Sequence, residues 1–309
     1  MDSLSENKGP LQGLSDSLAA TVESAGSSVV EINAGRRLRS SGVHWRQGIV
    51  VTVSHALKHD DIVSVSGAGG LELRARIAGR DPGSDLAALS IDGGNIPVAK
   101  IANPGSVRVG QLILAIGRCD GFAAASLGII SSIGGSWRTW RGAPIDQLIR
   151  PDVGLIRGFS GGPLVDAEGL ALGINTAGLS RTSPLTIPAS TVNRVVDELI
   201  KAGRVSRGFL GVGLYAVKIP RRIVEAHGLP TGAALIIVNV EPDGPADNAG
   251  LVVGDMLVAL NGHPVSDTDD VQGALDPDSI GKPVTAAIIR GGSPLNVEIT
   301  VAERPRRAC

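Results

Sequence analysis

From Gly48 to about Ile187 the chain alternates short apolar runs with clusters of Gly, Pro, Asp and Ser. Gly48–Thr52, Asp85–Ile91 and Gln111–Ile116 are examples. Runs of this length, evenly spaced and bounded by turn residues, predict many short strands that build a barrel or a sandwich. Ahead of them, Ser28–Ile32 reads as a strand, Leu14–Glu23 as a short amphipathic helix, and residues 1–13 as a flexible leader. The pattern changes at Pro188. Val192, Val195, Val196 and Leu199 share one face of a helix that ends at Ala202, with Ser190 or Thr191 placed to cap its start and Gly203 to stop it.

Residues 204–207 read as a linker, which bounds a first domain over 14–203. A second β-rich domain spans 208–303, followed by a tail at 304–309. Ala233–Val238 and Val284–Ile289 are its clearest strands, and Pro245–Ala249 and Thr268–Leu275 its helices. Asn261-Gly262 and Arg290-Gly291-Gly292 mark hairpin turns.

At 309 residues the chain exceeds what one small core can organise, in keeping with two domains. A net charge of −1 gives no electrostatic case for nucleic acid or an anionic membrane as partner. Cys119 lies in an expected loop and Cys309 is the last residue, so no structural disulfide is expected. Met1–Leu18 has neither a basic start nor an apolar stretch long enough for a signal peptide or a membrane helix. That predicts a cytoplasmic protein, with export the alternative if the start is mis-assigned. His44, His59, His227 and His263 lack metal-ligand spacing, and no glycine loop carries the lysine of a phosphate-binding loop. No metal or cofactor is predicted.

The chemistry concentrates in Arg157-Gly158-Phe159-Ser160-Gly161-Gly162-Pro163-Leu164. A serine among glycines suits a sharp turn that presents a hydroxyl while backbone amides stabilise a developing oxyanion. A serine hydroxyl needs a base, and His55 is the one histidine in a motif that would supply it, in Thr52-Val53-Ser54-His55. Two carboxylates, Asp81 and Asp85, precede a strand where either could orient that histidine. The order His, Asp, Ser is that of chymotrypsin-type enzymes.

These segments, with Gly173-Ile174-Asn175-Thr176-Ala177, Arg207-Gly208-Phe209-Leu210-Gly211-Val212 and Gly250-Leu251-Val252-Val253-Gly254-Asp255, resemble the HtrA (Deg) family over about Ala20 to Glu303. The resemblance implies a mainly β chain: a chymotrypsin-like double β-barrel protease domain, then a smaller PDZ domain, a β-sandwich with two helices. It favours Asp85 over Asp81 as partner of His55 and gives the oxyanion hole to the amides of Gly158 and Ser160. Ile174, Asn175 and Ala177 would form a wall of the substrate pocket, with Asp152–Ile156 as its floor. Phe209, Leu210, Gly211 and Val212 would hold a peptide carboxylate.

The family's activity is endoproteolysis of unfolded or damaged proteins, with hydrophobic C-termini bound by the PDZ domain and assembly into homotrimers. The alternative is a chaperone-like or peptide-binding protein with impaired catalysis. Arg157 stands where the family usually has Pro, and Phe159 where it usually has Asn.

Overall fold

The computed structural model describes residues 9–34, 39–57, 62–103, 105–180, 183–229, 232–275 and 277–305, and the chain divides into two units, Met1–Val205 and Ser206–Cys309. His59, Cys309 and the arginines of the tail after Pro305 lie outside the described residues.

In the first unit, helix α1 (Pro10–Gly26) starts four residues before the expected Leu14 and takes in the end of the expected leader. Proline is favoured in a first helical turn, where its fixed φ fits and its missing N–H would have no partner. Leu18, Val22 and Ala25 then pack on the core. Strands β1 (Val29–Asn33), β2 (Arg39–Arg46), β3 (Ile49–Val53), β4 (Ile62–Ser66), β5 (Glu72–Asp81) and β6 (Leu86–Ile91) close into a barrel in the order β1-β2-β3-β6-β5-β4. Val30, Ile32, Val50, Val65, Ala87 and Leu89 pack in one apolar cluster of this barrel. Their neighbours Val29, Val51, Val53, Leu86 and Ala88 belong to a different cluster. Burial of both faces explains why these strands read as continuous apolar runs.

A second closed barrel follows. It is built from β7 (Leu112–Cys119) and β8 (Phe122–Gly134) and, after a small ribbon of β9 (Trp137–Arg138) and β10 (Pro144–Ile145), from β11 (Leu148–Asp152), β12 (Pro163–Asp166), β13 (Ala171–Thr176) and β14 (Leu185–Pro188). Helix α2 (Ala189–Ala202) contributes Val192, Val195, Val196 and Leu199 to a core that also contains Val51 and Leu86 of the first barrel and Ile116 and Ile174 of the second. This shared core joins the barrels. Gly203 stops α2 as expected, its amide donating to Leu199 O at 2.9 Å. The cap differs from expectation: Pro188 holds the N-cap position without a side-chain bond, and Thr191 Oγ1 instead accepts from the Asp146 amide at 2.9 Å.

The second unit has a sheet of β16 (Val212–Lys218), β17 (Ala233–Val240), β18 (Met256–Leu260), β20 (Pro283–Arg290) and β21 (Ser293–Thr300) in that spatial order, with β19 (His263–Pro264) paired to β18. A separate pair joins β15 (Gly208–Phe209) to β22 (Ala302–Glu303). Helices α4 (Pro245–Asn248) and α5 (Thr268–Ala274) match the two expected. A third, α3 (Arg221–His227), lies where the sequence pattern predicts none. Pro220 opens it, left-handed Gly228 ends it, and Ile223 and Val224 pack beside Ile219 and Ala234. The hairpin turns fall at Asn261-Gly262 and Gly291-Gly292. Asp255 is buried and held by Arg290 through two bonds of 2.7 and 2.6 Å. No helix among the described residues is long and apolar enough to cross a membrane.

Phe159 is fully buried in the core of the second barrel and lies over Gly117, where an added Cβ would come within 2.5 Å of its ring. Gly117→Ala therefore forces a packed aromatic to move. The expected cost is about 1–3 kcal/mol of stability, read as a lower Tm in calorimetry.

Candidate active site

Strand β3 ends at Val53 and passes directly into a single helical turn, Ser54–Ala56, which carries His55. Asp85 immediately precedes β6 with φ at 59°, a left-handed conformation that Asp tolerates better than most residues and that often marks functional sites. The Ser54 amide donates to Asp85 O and the His55 amide to Asp85 Oδ1, each at 3.0 Å. His55 Nδ1 lies 2.8 Å from Asp85 Oδ2, and Thr176 Oγ1 donates to that oxygen at 2.6 Å. The carboxylate is buried, so three protein donors replace its water. With Nδ1–H committed to Asp85, neutral His55 presents an unprotonated Nε2.

The hydrogen bond to Asp85, aided by its charge, raises the His55 pKa above the ordinary 6.5 although burial pulls the other way. Asp81 has a different job. Its Oδ1 accepts from the Gly83 amide at 3.0 Å, and its Oδ2 from the Ser84 amide at 3.1 Å and hydroxyl at 2.6 Å. It builds the turn that leads to Asp85.

Ser160 lies in the loop before β12. The Gly162 amide donates to Phe159 O at 3.0 Å, the Gly161 amide to Asn175 O at 2.8 Å, and the Asn175 amide to Gly162 O at 2.9 Å. The first closes the loop on itself, and the other two hold it against β13. Gly158 has φ at 97°, and a Cβ there would fall 2.2 Å from Cys119 Sγ, so the position admits only glycine. The amides of Gly158 and Ser160 donate to no acceptor among the described residues. Ser160 Oγ meets the Ala177 amide at 3.4 Å and makes no hydrogen bond to His55. The next residue borders the other half of the site: a Cβ on Gly178 would lie 2.5 Å from Asp85 Oδ2 and 2.8 Å from His55 Nδ1. The segment Ala177-Gly178 thus borders all three side chains.

The expected pocket wall needs correction. Ile174 and Asn175 are wholly buried: side chains on both faces of β13 are covered, and Ile174 packs into the shared core. Asn175 Oδ1 accepts from Thr186 Oγ1 at 2.9 Å. Of the three, only Ala177 is exposed. On the expected floor, Val153 is buried. Ile156 is instead 60% exposed and leaves an apolar side chain at the surface just ahead of Gly158 in the chain.

In the second unit Phe209 closes β15, Leu210 and Gly211 are buried, and Val212 opens β16, an edge strand of its sheet. The Leu210 and Gly211 amides donate to no acceptor among the described residues.

A trypsin-like peptidase domain family matches residues 40–174, and a PDZ domain family matches residues 208–301. The solved HtrA-type protease AlgW with tripeptide is 30% identical with a TM-score of 0.73, covering 94% of this chain and 98% of its own. The chain belongs to the HtrA family of serine proteases. The serine endoprotease structure from Yersinia pestis is 28% identical with a TM-score of 0.74, covering 93% of this chain and 98% of its own. A probable periplasmic serine endoprotease DegP-like of Pseudomonas fluorescens is 34% identical over 264 residues, which are 84% of this chain and 54% of the relative. A protein of the same description from Brucella suis is 34% identical over 266 residues, 84% of this chain and 51% of the relative. The chain spans about half the length of these curated relatives.

Sequence reasoning missed Thr176, although it stands inside one of the motifs that carry the resemblance. A hydroxyl residue at the end of an apolar strand is the available signal, and only the fold reveals that it reaches Asp85.

The His55–Asp85 pair predicts a titration. By NMR the imidazole should titrate above pH 6.5, and in Asp85→Asn at or below it, since burial then acts unopposed. Because the folded pKa is raised, the pair's contribution to stability is complete below pH 6.5 and fades as pH rises through the folded value.

Proposed function

We propose that this chain is a serine endopeptidase that cuts unfolded or damaged proteins, and that its PDZ domain binds hydrophobic peptide C-termini. Ser160 Oγ attacks the scissile carbonyl carbon while His55 Nε2 takes its proton. Asp85 holds Nδ1–H, keeps the ring in that tautomer and stabilises the imidazolium. The carbonyl oxygen becomes an oxyanion facing the Gly158 and Ser160 amides. His55 then gives its proton to the departing amine, and water, activated in the same way, releases the acyl group from Ser160.

One observation carries this reading. A loop serine, whose own amide and that of Gly158 lack acceptors among the described residues, borders the Ala177-Gly178 segment that also borders an imidazole bonded to a buried carboxylate. The serine endoprotease descriptions of the relatives support it. Their periplasmic description favours the export alternative over the cytoplasmic one.

A fluorophosphonate probe tests the chemistry. Wild type should label, and Ser160→Ala and His55→Ala should not; wild type should also fragment an unfolded protein. A wild type that stays unlabelled with unfolded substrate present contradicts the reading and favours the chaperone-like alternative.

For the PDZ domain, the free amides of Leu210 and Gly211 at the head of edge strand β16 support capture of a carboxylate and pairing of the peptide as an added strand. AlgW has been solved with a tripeptide and with a decapeptide, which supports peptides as the ligand class. In fluorescence anisotropy, a peptide ending in an apolar residue should bind, and amidation of its C-terminus should weaken it about tenfold or more, the scale of a lost charge-assisted contact. Equal binding of acid and amide would overturn the assignment.

A further inference from the structure

We infer that Ser41, on β2 of the first barrel, is a positioning residue for the oxyanion loop of the second. Its effect on rate rests on the peptidase reading above; its effect on the loop does not. Ser41 is wholly buried. Its amide donates to Ser160 O at 2.9 Å, and its hydroxyl donates to Gly158 O at 2.7 Å. The hydroxyl also accepts from the Arg118 amide at 2.9 Å, and Ser41 O accepts from Thr52 Oγ1 at 2.7 Å. An amide can only donate, so the hydroxyl must accept from Arg118, and its single proton is committed to Gly158 O.

Arg118 is itself fixed. Its buried guanidinium donates to Val29 O at 2.7 Å, Gly26 O at 3.0 Å and Gly121 O at 3.0 Å. Ser41 is therefore anchored on one side and holds the loop on the other.

The consequence follows from peptide geometry. In a trans peptide unit C=O and N–H point in opposite directions. Ser41 holds the carbonyls of units 158–159 and 160–161. These two units flank the one that carries the Ser160 amide, and the first shares the Gly158 Cα with the unit that carries the Gly158 amide. The two donor-bearing units are tethered through their carbonyls: Gly162 N donates to Phe159 O at 3.0 Å, and Cys119 Sγ to Arg157 O at 3.4 Å.

Without the Ser41 hydroxyl, Gly158 O would be a buried acceptor lacking its partner, and rotation of the peptide plane is the loop's route to another donor. Glycine offers little resistance to that rotation. Within the loop that peptide unit is held only at its other end, by the Phe159 amide donating to Ile156 O at 3.1 Å, so its orientation depends on the outside tether as well.

Ser41→Ala removes the hydroxyl and keeps the backbone bond to Ser160 O. Ser40→Ala is the control, because the neighbouring Ser40 Oγ is buried without a hydrogen-bond partner. Hydrogen exchange read by mass spectrometry over residues 156–162 should quicken about tenfold in Ser41→Ala, the shift expected from one lost buried hydrogen bond, and stay unchanged in Ser40→Ala. On a peptide substrate kcat should fall about 10–100-fold, less than the loss of an oxyanion donor outright. KM and the pH midpoint should stay put, since the His55–Asp85 pair is untouched. Ser41→Cys, which keeps the shape with a weak donor, should fall between and covers the case in which Ser41→Ala does not fold.

Wild-type exchange in Ser41→Ala, or equal quickening in Ser40→Ala, overturns the tether. Normal kcat alongside quickened exchange overturns its role in rate. An inactive wild type overturns the peptidase reading and the rate effect with it, while exchange still decides the tether.

Discussion

A peptide unit cannot turn its N–H and its C=O the same way, and the loop from Arg157 to Gly162 is organised around that constraint. To leave the Gly158 and Ser160 amides without protein acceptors, its carbonyls must find donors elsewhere. Gly162 supplies one from within the loop, Cys119 another from the end of β7, and Ser41 two more from the first barrel. Phe159 adds an apolar anchor in the second barrel, in space left open by Gly117. The serine's setting is therefore a product of packing and hydrogen bonding from both barrels.

The dependence is reciprocal. Asp85 belongs to the first barrel, yet Thr176 of the second donates to its carboxylate and Gly178 packs against it without a side chain to intrude. Ser160 belongs to the second barrel, yet Ser41 of the first holds the carbonyls around it. Each barrel carries part of the site and steadies the part carried by the other. The shared apolar core of Val51, Leu86, Ile116, Ile174 and α2 keeps them in register, which ties the chemistry to burial of hydrophobic surface far from the serine.

Much of this is legible in the sequence because the chemistry restricts residue types. A nucleophile turn needs glycines, and a base needs histidine at the end of a strand, so His55 and the Gly158–Gly162 run stand out. Strand periodicity and turn residues point to the barrels, and Gly203 to the end of α2. Other features depend on tertiary placement. Ile174 and Asn175 neighbour Ala177 in sequence, which suggests a pocket wall, but β13 is buried on both of its faces. Ser41 sits between Ser40 and Gly42 in a polar-looking stretch, with no local sign that its hydroxyl reaches Gly158. Helix α3 is short and polar, and packing of Ile223 and Val224 selects it over a loop.

The most direct measurement is a crystal structure of the protein after Ser160 has reacted with a peptide phosphonate, whose phosphoryl oxygen mimics the oxyanion. The account predicts that oxygen within about 3 Å of both the Gly158 and Ser160 amides, with Ser41 Oγ still bonded to Gly158 O. A phosphoryl oxygen turned to solvent, or a loop that binds it only after releasing Ser41, would contradict it.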